Sequence, residues 1–120
     1  FISSNKMLGQ GLSAAIRSKP ELDFLWAAQL NYPQAAVGVD IFHADVVILD
    51  IVDQAETERA VELCRSLRQG GQAVRILLLV RPEQAVVRKM AVETKNAGLA
   101  DDFVFYDSSL SYLLAKLAAF

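Results

Sequence analysis

The stretch Asp45-Val46-Val47-Ile48-Leu49-Asp50 constrains the fold more than any other part of this chain. Four large aliphatic residues stand in a row, and an acid closes the run. So short a run is too brief for a typical helix. Its β-branched content suits a strand buried on both faces, as in a parallel sheet. Open parallel sheets place their ligand crevice at the carboxyl ends of the strands, so Asp50 is expected at the rim where such a domain carries its chemistry.

The remaining chain continues the alternation of strand and helix. Phe1 and Ile2 read as the end of a first strand, and because the chain opens on Phe within an apolar run, that strand is read as truncated at its N-terminus. Ser3, Ser4 and Asn5 offer an N-cap to a helix from about Lys6 to Ser18, with Met7, Leu8, Leu12, Ala15 and Ile16 on its inner face. A second strand is expected over Leu22 to Ala28, centred on Phe24, Leu25 and Trp26. Pro33 suits the first turn of a helix reaching Phe42, with Ala36, Val37 and Ile41 turned inward and Gly38 weakening it.

Past the central strand, Glu56 to Gln69 carries the helical period at Ala60, Leu63, Cys64 and Leu67, and Gly70-Gly71 supplies the stop. Arg75 to Val80 is a second apolar strand. Pro82 opens a helix to about Ala97, packed through Val86, Val87, Met90 and Ala91 and ended by a left-handed Gly98. Asp102 to Tyr106 is the last strand. Leu110, Leu113, Leu114 and Leu117 form the stripe of a closing helix from Ser109 to Ala119.

Five strands alternating with five helices imply right-handed crossovers and helices on both faces of a parallel sheet. At 120 residues this is one α/β domain, a flavodoxin-like three-layer sandwich with strand order 2-1-3-4-5. The net charge of -2 gives no clustered Lys and Arg for a polyanion, so the domain is not expected to touch nucleic acid directly. No apolar run nears the roughly 20 residues that span a bilayer and no signal peptide is visible, so a cytoplasmic domain without membrane contact is expected. The single Cys64 lies on the apolar side of its helix and reads as core.

These residues resemble the receiver domain of bacterial two-component response regulators, and the likeness covers the whole chain. Its carriers are the strand ending in Leu49-Asp50, the segment Ser3-Ser4-Asn5-Lys6-Met7-Leu8-Gly9-Gln10-Gly11-Leu12, and Gly98-Leu99-Ala100-Asp101-Asp102-Phe103-Val104. The second is similar to the acid-acid-His-Pro-Leu opening of receivers, the third to the Gly-Ala-x-Gly-Tyr-Leu lead into their fifth strand. The resemblance implies that Asp50 stands where a histidine kinase delivers a phosphoryl group. It also implies two acids for Mg²⁺, a Thr or Ser after the fourth strand and a Lys after the fifth.

Those supporting positions fall on Ser3 and Ser4, Val80, and Tyr106. Serines bring no charge to hold a hard cation, Val80 has no hydroxyl, and Tyr106 donates one hydrogen bond without positive charge. The segment Ile51-Val52-Asp53-Gln54-Ala55 also lacks the family's Met-Pro turn. The expectation is a degenerate pseudo-receiver, not an enzyme, without metal or other cofactor, with Asp50 hydrogen-bonded to loop amides at its strand end. The alternative is a conventional Mg²⁺-dependent receiver phosphorylated on Asp50 to regulate an attached output domain. In it Asp53 and Asp107 would lend charge to the metal, and Lys6 or Arg81 would reach a phosphoryl oxygen.

With a quiet pocket, function moves to surfaces. In receivers the fourth helix, fifth strand and fifth helix commonly meet a partner or a second copy, and Lys95, Phe105, Tyr112 and Lys116 occupy the matching face here. A protein partner is expected, either a histidine kinase or an output domain beyond this sequence, along with homodimer formation. Gly9-Gln10-Gly11-Leu12-Ser13-Ala14 fits a dinucleotide fingerprint, but its glycines fall inside a helix and no acid ends the second strand. His43 stands alone at a helix end without a second ligand at zinc spacing.

Overall fold

The apolar runs pair side by side. In the computed structural model, which describes residues 1–71, 73–106 and 109–119, Val46–Ile51 forms β1, Arg75–Val80 forms β2 and Asp102–Phe105 forms β3. The strands run parallel in the order β1-β2-β3, with Val46 opposite Arg75, Ile51 opposite Val80, and Leu77 opposite Asp102. Five helices accompany them among the described residues: α1 Lys6–Arg17, α2 Tyr32–Phe42, α3 Gln54–Gln69, α4 Ala85–Asn96 and α5 Leu110–Ala118.

Three laddered strands stand where five were expected. The other two are reduced to single residues, because Ile2 bridges in parallel to Leu49 on one side and to Leu30 on the other. The Ile2 amide donates to the Ile48 carbonyl at 2.8 Å, and the Asp50 amide donates back to Ile2 at 2.9 Å. On the far side the Leu30 amide reaches the Phe1 carbonyl at 2.9 Å, and the Ser3 amide reaches Leu30 at 3.0 Å. The spatial order Leu30, Ile2, β1, β2, β3 therefore follows the expected 2-1-3-4-5 arrangement with its first two members shortened.

The strand expected over Leu22 to Ala28 does not form. A ladder needs a partner along its length, and only Phe1 to Ser3 lie between this segment and β1. Instead Pro20–Leu22 makes one 3₁₀ turn, Asp23 adopts a left-handed backbone with φ 57°, and Leu25 is 95% exposed. Trp26 still folds back, its ring 6.1 Å from that of Phe1.

Alternation along the strands sends side chains into two cores. Val47, Leu49, Ile51, Ile76, Leu78 and Val80 meet α2, α3 and α4. Ile48, Leu77, Leu79 and Val104 meet α1 and α5 through Leu12, Ile16, Leu113, Leu114 and Leu117. The result is the expected three layers, with two helices on one face and three on the other.

Four helix faces differ from expectation, α2 most. In α2 the buried residues are Ala35, Gly38 and Val39, whereas Ala36 is exposed and Val37 and Ile41 are 62% and 65% exposed. Gly38 faces the sheet, where a Cβ would stand 2.2 Å from Leu30 Cδ1, so a larger residue requires the Leu30 side chain to move. In α1 Met7 is exposed, Gly9, Leu12 and Ile16 are buried, and Leu8 and Ala15 pack half-buried against the core as expected. In α4 and α5, Val86 and Leu110 are exposed while Val87, Ala91 and the three remaining leucines are buried. Pro82 sits in the turn before α4, which begins at Ala85. Gly98 has the expected left-handed backbone, φ 75°.

Candidate functional site

Asp50 lies near the carboxyl end of β1, 1% exposed, on the same side of the strand as Ile48. The Ile2 bridge brings Ser3 beside it, and the turn after β3 brings Tyr106, whose amide donates to the Val80 carbonyl at 2.9 Å. The Ser3 hydroxyl donates to Asp50 Oδ2, and the Tyr106 phenol donates to Asp50 Oδ1. Ser3 Oγ in turn accepts the Asn5 amide at 2.9 Å, fixing its remaining direction. Asn5 then caps α1 by accepting the Leu8 amide at 3.0 Å. The partners of Asp50 are thus hydroxyls drawn from two ends of the sheet, not the loop amides expected.

Burial lifts the Asp50 carboxyl from its ordinary 3.8 to about 6, with the Ser3 hydrogen bond and Arg81 opposing and Glu56 reinforcing the rise. Arg81 does not pair with the carboxylate. Its guanidinium lies 4.9 Å from the Tyr106 ring centroid and 3.6 Å from Glu83, and its buried Nε has no hydrogen-bond partner among the described residues. Lys6 is exposed and makes no hydrogen bond to Asp50. Asp107 lies outside the described residues.

Two of the expected pocket positions are not brought to the carboxylate. Ser4 is exposed, and Val80 is fully buried in the opposite core, among α3 and α4. Tyr32 is a neighbour that the sequence reading missed: its phenol donates to the Asp50 carbonyl at 2.9 Å, and burial pushes its pKa well above the ordinary range. The capping box of Asn31 and Gln34 sets Tyr32 at the start of α2. That pattern, legible as Asn-x-x-Gln, was the available signal.

A hard divalent cation takes about six oxygens, so the carboxylates near Asp50 decide whether one fits. Asp53 caps α3 by accepting the Glu56 amide at 3.0 Å, and Glu56 accepts the Val52 amide at 3.0 Å. Both acids are committed to the start of α3, Asp50 is committed to two hydroxyls, and among the described residues no three His, Cys, Asp or Glu side chains are grouped to hold a metal. Among the described residues, no acid beside Asp50 is left uncommitted to share a hard cation with it. Each Asp50 oxygen thus accepts one hydroxyl in a buried setting that disfavours its charged form.

Two of the four expected interface residues converge on one acid. Lys95 Nζ lies 3.1 Å from Asp102 Oδ1 and Lys116 Nζ 2.7 Å from Asp102 Oδ2, tying α4 and α5 to β3. Burial works to raise the Asp102 pKa, but the two lysines and the Phe103 amide outweigh it and hold the carboxyl below the usual range. Phe105 is half-buried, edge-on to Phe103 with centroids 5.6 Å apart. Tyr112 is exposed beside Lys116.

Both fingerprint glycines lie within α1, clear of any strand-to-helix turn that could cradle a phosphate. A Cβ on Gly9 would strike Gln29, whose side-chain amide donates to the Ser3 and Asn5 carbonyls at 3.0 Å each, while Gly11 faces open space. His43 ends α2 in a left-handed conformation, exposed.

No protein-family model matches the chain, and no curated protein matches it. Among solved structures it is similar to the crystal structure of a DNA-binding response regulator of the LuxR family from Staphylococcus aureus. The two share 20% identity with a TM-score of 0.78, over 98% of this chain and 92% of that one. A likeness at that identity establishes the parallel α/β fold. Among the described residues no helix is long and apolar enough to cross a membrane.

Proposed function

We propose that the chain is a receiver-like signalling domain that acts through contact with a protein partner and does not carry out efficient phosphotransfer. The observation that carries this reading is the closed state of Asp50, buried with one hydroxyl on each carboxylate oxygen. An acyl phosphate there would add negative charge to a pocket whose donors are neutral, and phosphoryl transfer depends on cations to offset that charge. Tyr106 occupies the approach to Oδ1, and Arg81 is held on its ring. The domain is read as non-enzymatic and free of a resident metal. Its output is read as contact with a kinase or an attached domain through the α4-β3-α5 face or by self-association.

Beryllofluoride, a phosphoryl mimic, tests this directly. With Mg²⁺ and beryllofluoride, the amide resonances of Asp50 and Tyr106 are expected to stay in place. Shifts that require Mg²⁺ and vanish in Asp50→Asn would replace this reading with that of a conventional phosphorylated switch.

A further inference from the structure

Among the described residues nothing covers the outer side of α2. Pro33, Val37 and Ile41 recur at every fourth position, so they stand in one line along that side, and all three are exposed. Asp40 is the single charged residue of the helix, whereas the exposed side of the neighbouring α3 carries Glu58, Arg59, Glu62 and Arg65. Solitary exposed aliphatics are ordinary, but a line of them along a whole helix marks a surface that meets another molecule.

The polar residues around that line decide which molecule. Asp40 stands exposed in the last turn of α2, where the helix dipole disfavours an acid. Near the opposite end of α2, Arg59 of α3 stands close to Tyr32, where its charge opposes the rise that burial imposes on the phenol. Neither Asp40 nor Arg59 forms an ion pair among the described residues. One end of the face is therefore negative, and the other has a cation beside a helix N-terminus. Val37 is the midpoint of Tyr32–Phe42, so a second α2 laid antiparallel across it sets Pro33 against Ile41 and Gln34 against Asp40. Gln34 uses its Oε1 to accept the Asn31 amide at 3.2 Å, and its NH₂ group can donate to that acid.

We propose that the outer face of α2 is the contact between two copies of this chain, packed antiparallel about a two-fold axis at Val37. A two-fold contact requires a surface that complements itself. Here each acidic end meets the basic end of the other copy, and the apolar lines face each other. A parallel pair would instead set the two Asp40 side chains together. One helix from each copy falls short of the roughly 1,200 Å² buried in a stable interface, so the pair forms and separates with concentration. The contact uses α2 and not the α4-β3-α5 face, and it does not depend on the phosphotransfer reading.

Sedimentation equilibrium on the chain from about 20 μM to about 1 mM measures the pairing. The apparent mass is expected to rise from that of one chain toward that of two. Val37→Glu is expected to hold it at one chain throughout, and Asp40→Arg to weaken pairing about tenfold. Asp40→Arg combined with Arg59→Asp exchanges the two charges and is expected to regain most of that loss. All three positions are exposed, so the variants are expected to keep the parent's urea midpoint within the scatter of surface substitutions. A single chain at every concentration would overturn the proposal. So would pairing that Val37→Glu leaves intact, or a charge-exchanged variant that pairs no better than Asp40→Arg alone.

Discussion

A carboxyl group raised to about 6 by burial sits more easily in the fold protonated than charged. Because this folded value lies above the ordinary 3.8, the stability that Asp50 contributes is complete below about pH 3.8 and is lost as the pH rises through about 6. The difference corresponds to about 3 kcal/mol. Asparagine keeps an oxygen acceptor and carries no charge. Asp50→Asn is therefore expected to be more stable than the parent by about 1–3 kcal/mol near pH 7.5 and equal to it near pH 4, by urea denaturation at both. A difference that does not change with pH would show that the carboxylate is not desolvated. Asp101 and Asp102, held below the usual range, act in the opposite sense and lose their contribution as the pH falls, but they are common to both proteins and cancel. At this scale Asp50 was legible from the apolar run that it closes, and Ser3 and Tyr106 only through the resemblance to receivers. Val80 was misplaced because one residue of offset along a strand reverses the face. Tyr32 was missed because its role depends on where α2 docks.

Docking of α2 brings Gly38 against Leu30. The segment Tyr32–Phe42 is apolar on most of its circumference, so periodicity does not choose a buried face, and the expected one, through Val37 and Ile41, is exposed. The face that is buried carries the small residues Ala35 and Gly38 with Val39, and Gly38 is the point at which the helix meets Leu30. Gly38→Ala improves helix propensity by about 1 kcal/mol, yet is expected to lower stability by about 1–2 kcal/mol through the clash. Adding Leu30→Ala is expected to recover part of that loss, and a double-mutant cycle in urea measures the coupling. Strictly additive effects would show that the helix accommodates the methyl elsewhere. Where one face was clearly richer, as in α3, the buried stripe was read correctly, and in α5 it was read correctly but for Leu110. The strand expected over Leu22 to Ala28 failed for a non-local reason, the shortness of its partner.

Across the whole molecule, the two ends of the sheet are secured differently. At the amino end of β2, Asp101 accepts the Ile76 amide at 2.7 Å and Arg68 of α3 at 2.8 Å, while Arg68 also reaches the Leu99 and Val74 carbonyls. Asp101→Ala leaves a strand amide and a guanidinium without their acceptor and is expected to cost about 2–3 kcal/mol, measured as a lower urea midpoint with an unchanged slope. The layered arrangement was readable from the alternation of apolar runs and helical stripes. The network around Asp101 was not, because its members lie far apart in the chain.

The pairing of Lys95 and Lys116 on Asp102 has a consequence for how copies of the molecule meet. β3 is the outermost laddered strand, and its free side offers main-chain groups to any neighbouring chain. Two ammonium groups anchored at its first residue confront an incoming strand with positive charge, and a second copy brings the same charge. Lys95→Ala combined with Lys116→Ala is accordingly expected to lower the dilute unfolding midpoint, because Asp102 loses both partners, and to make the protein turbid further below that midpoint than the parent is below its own. What ties two helices to a strand also guards the sheet against growing by one more.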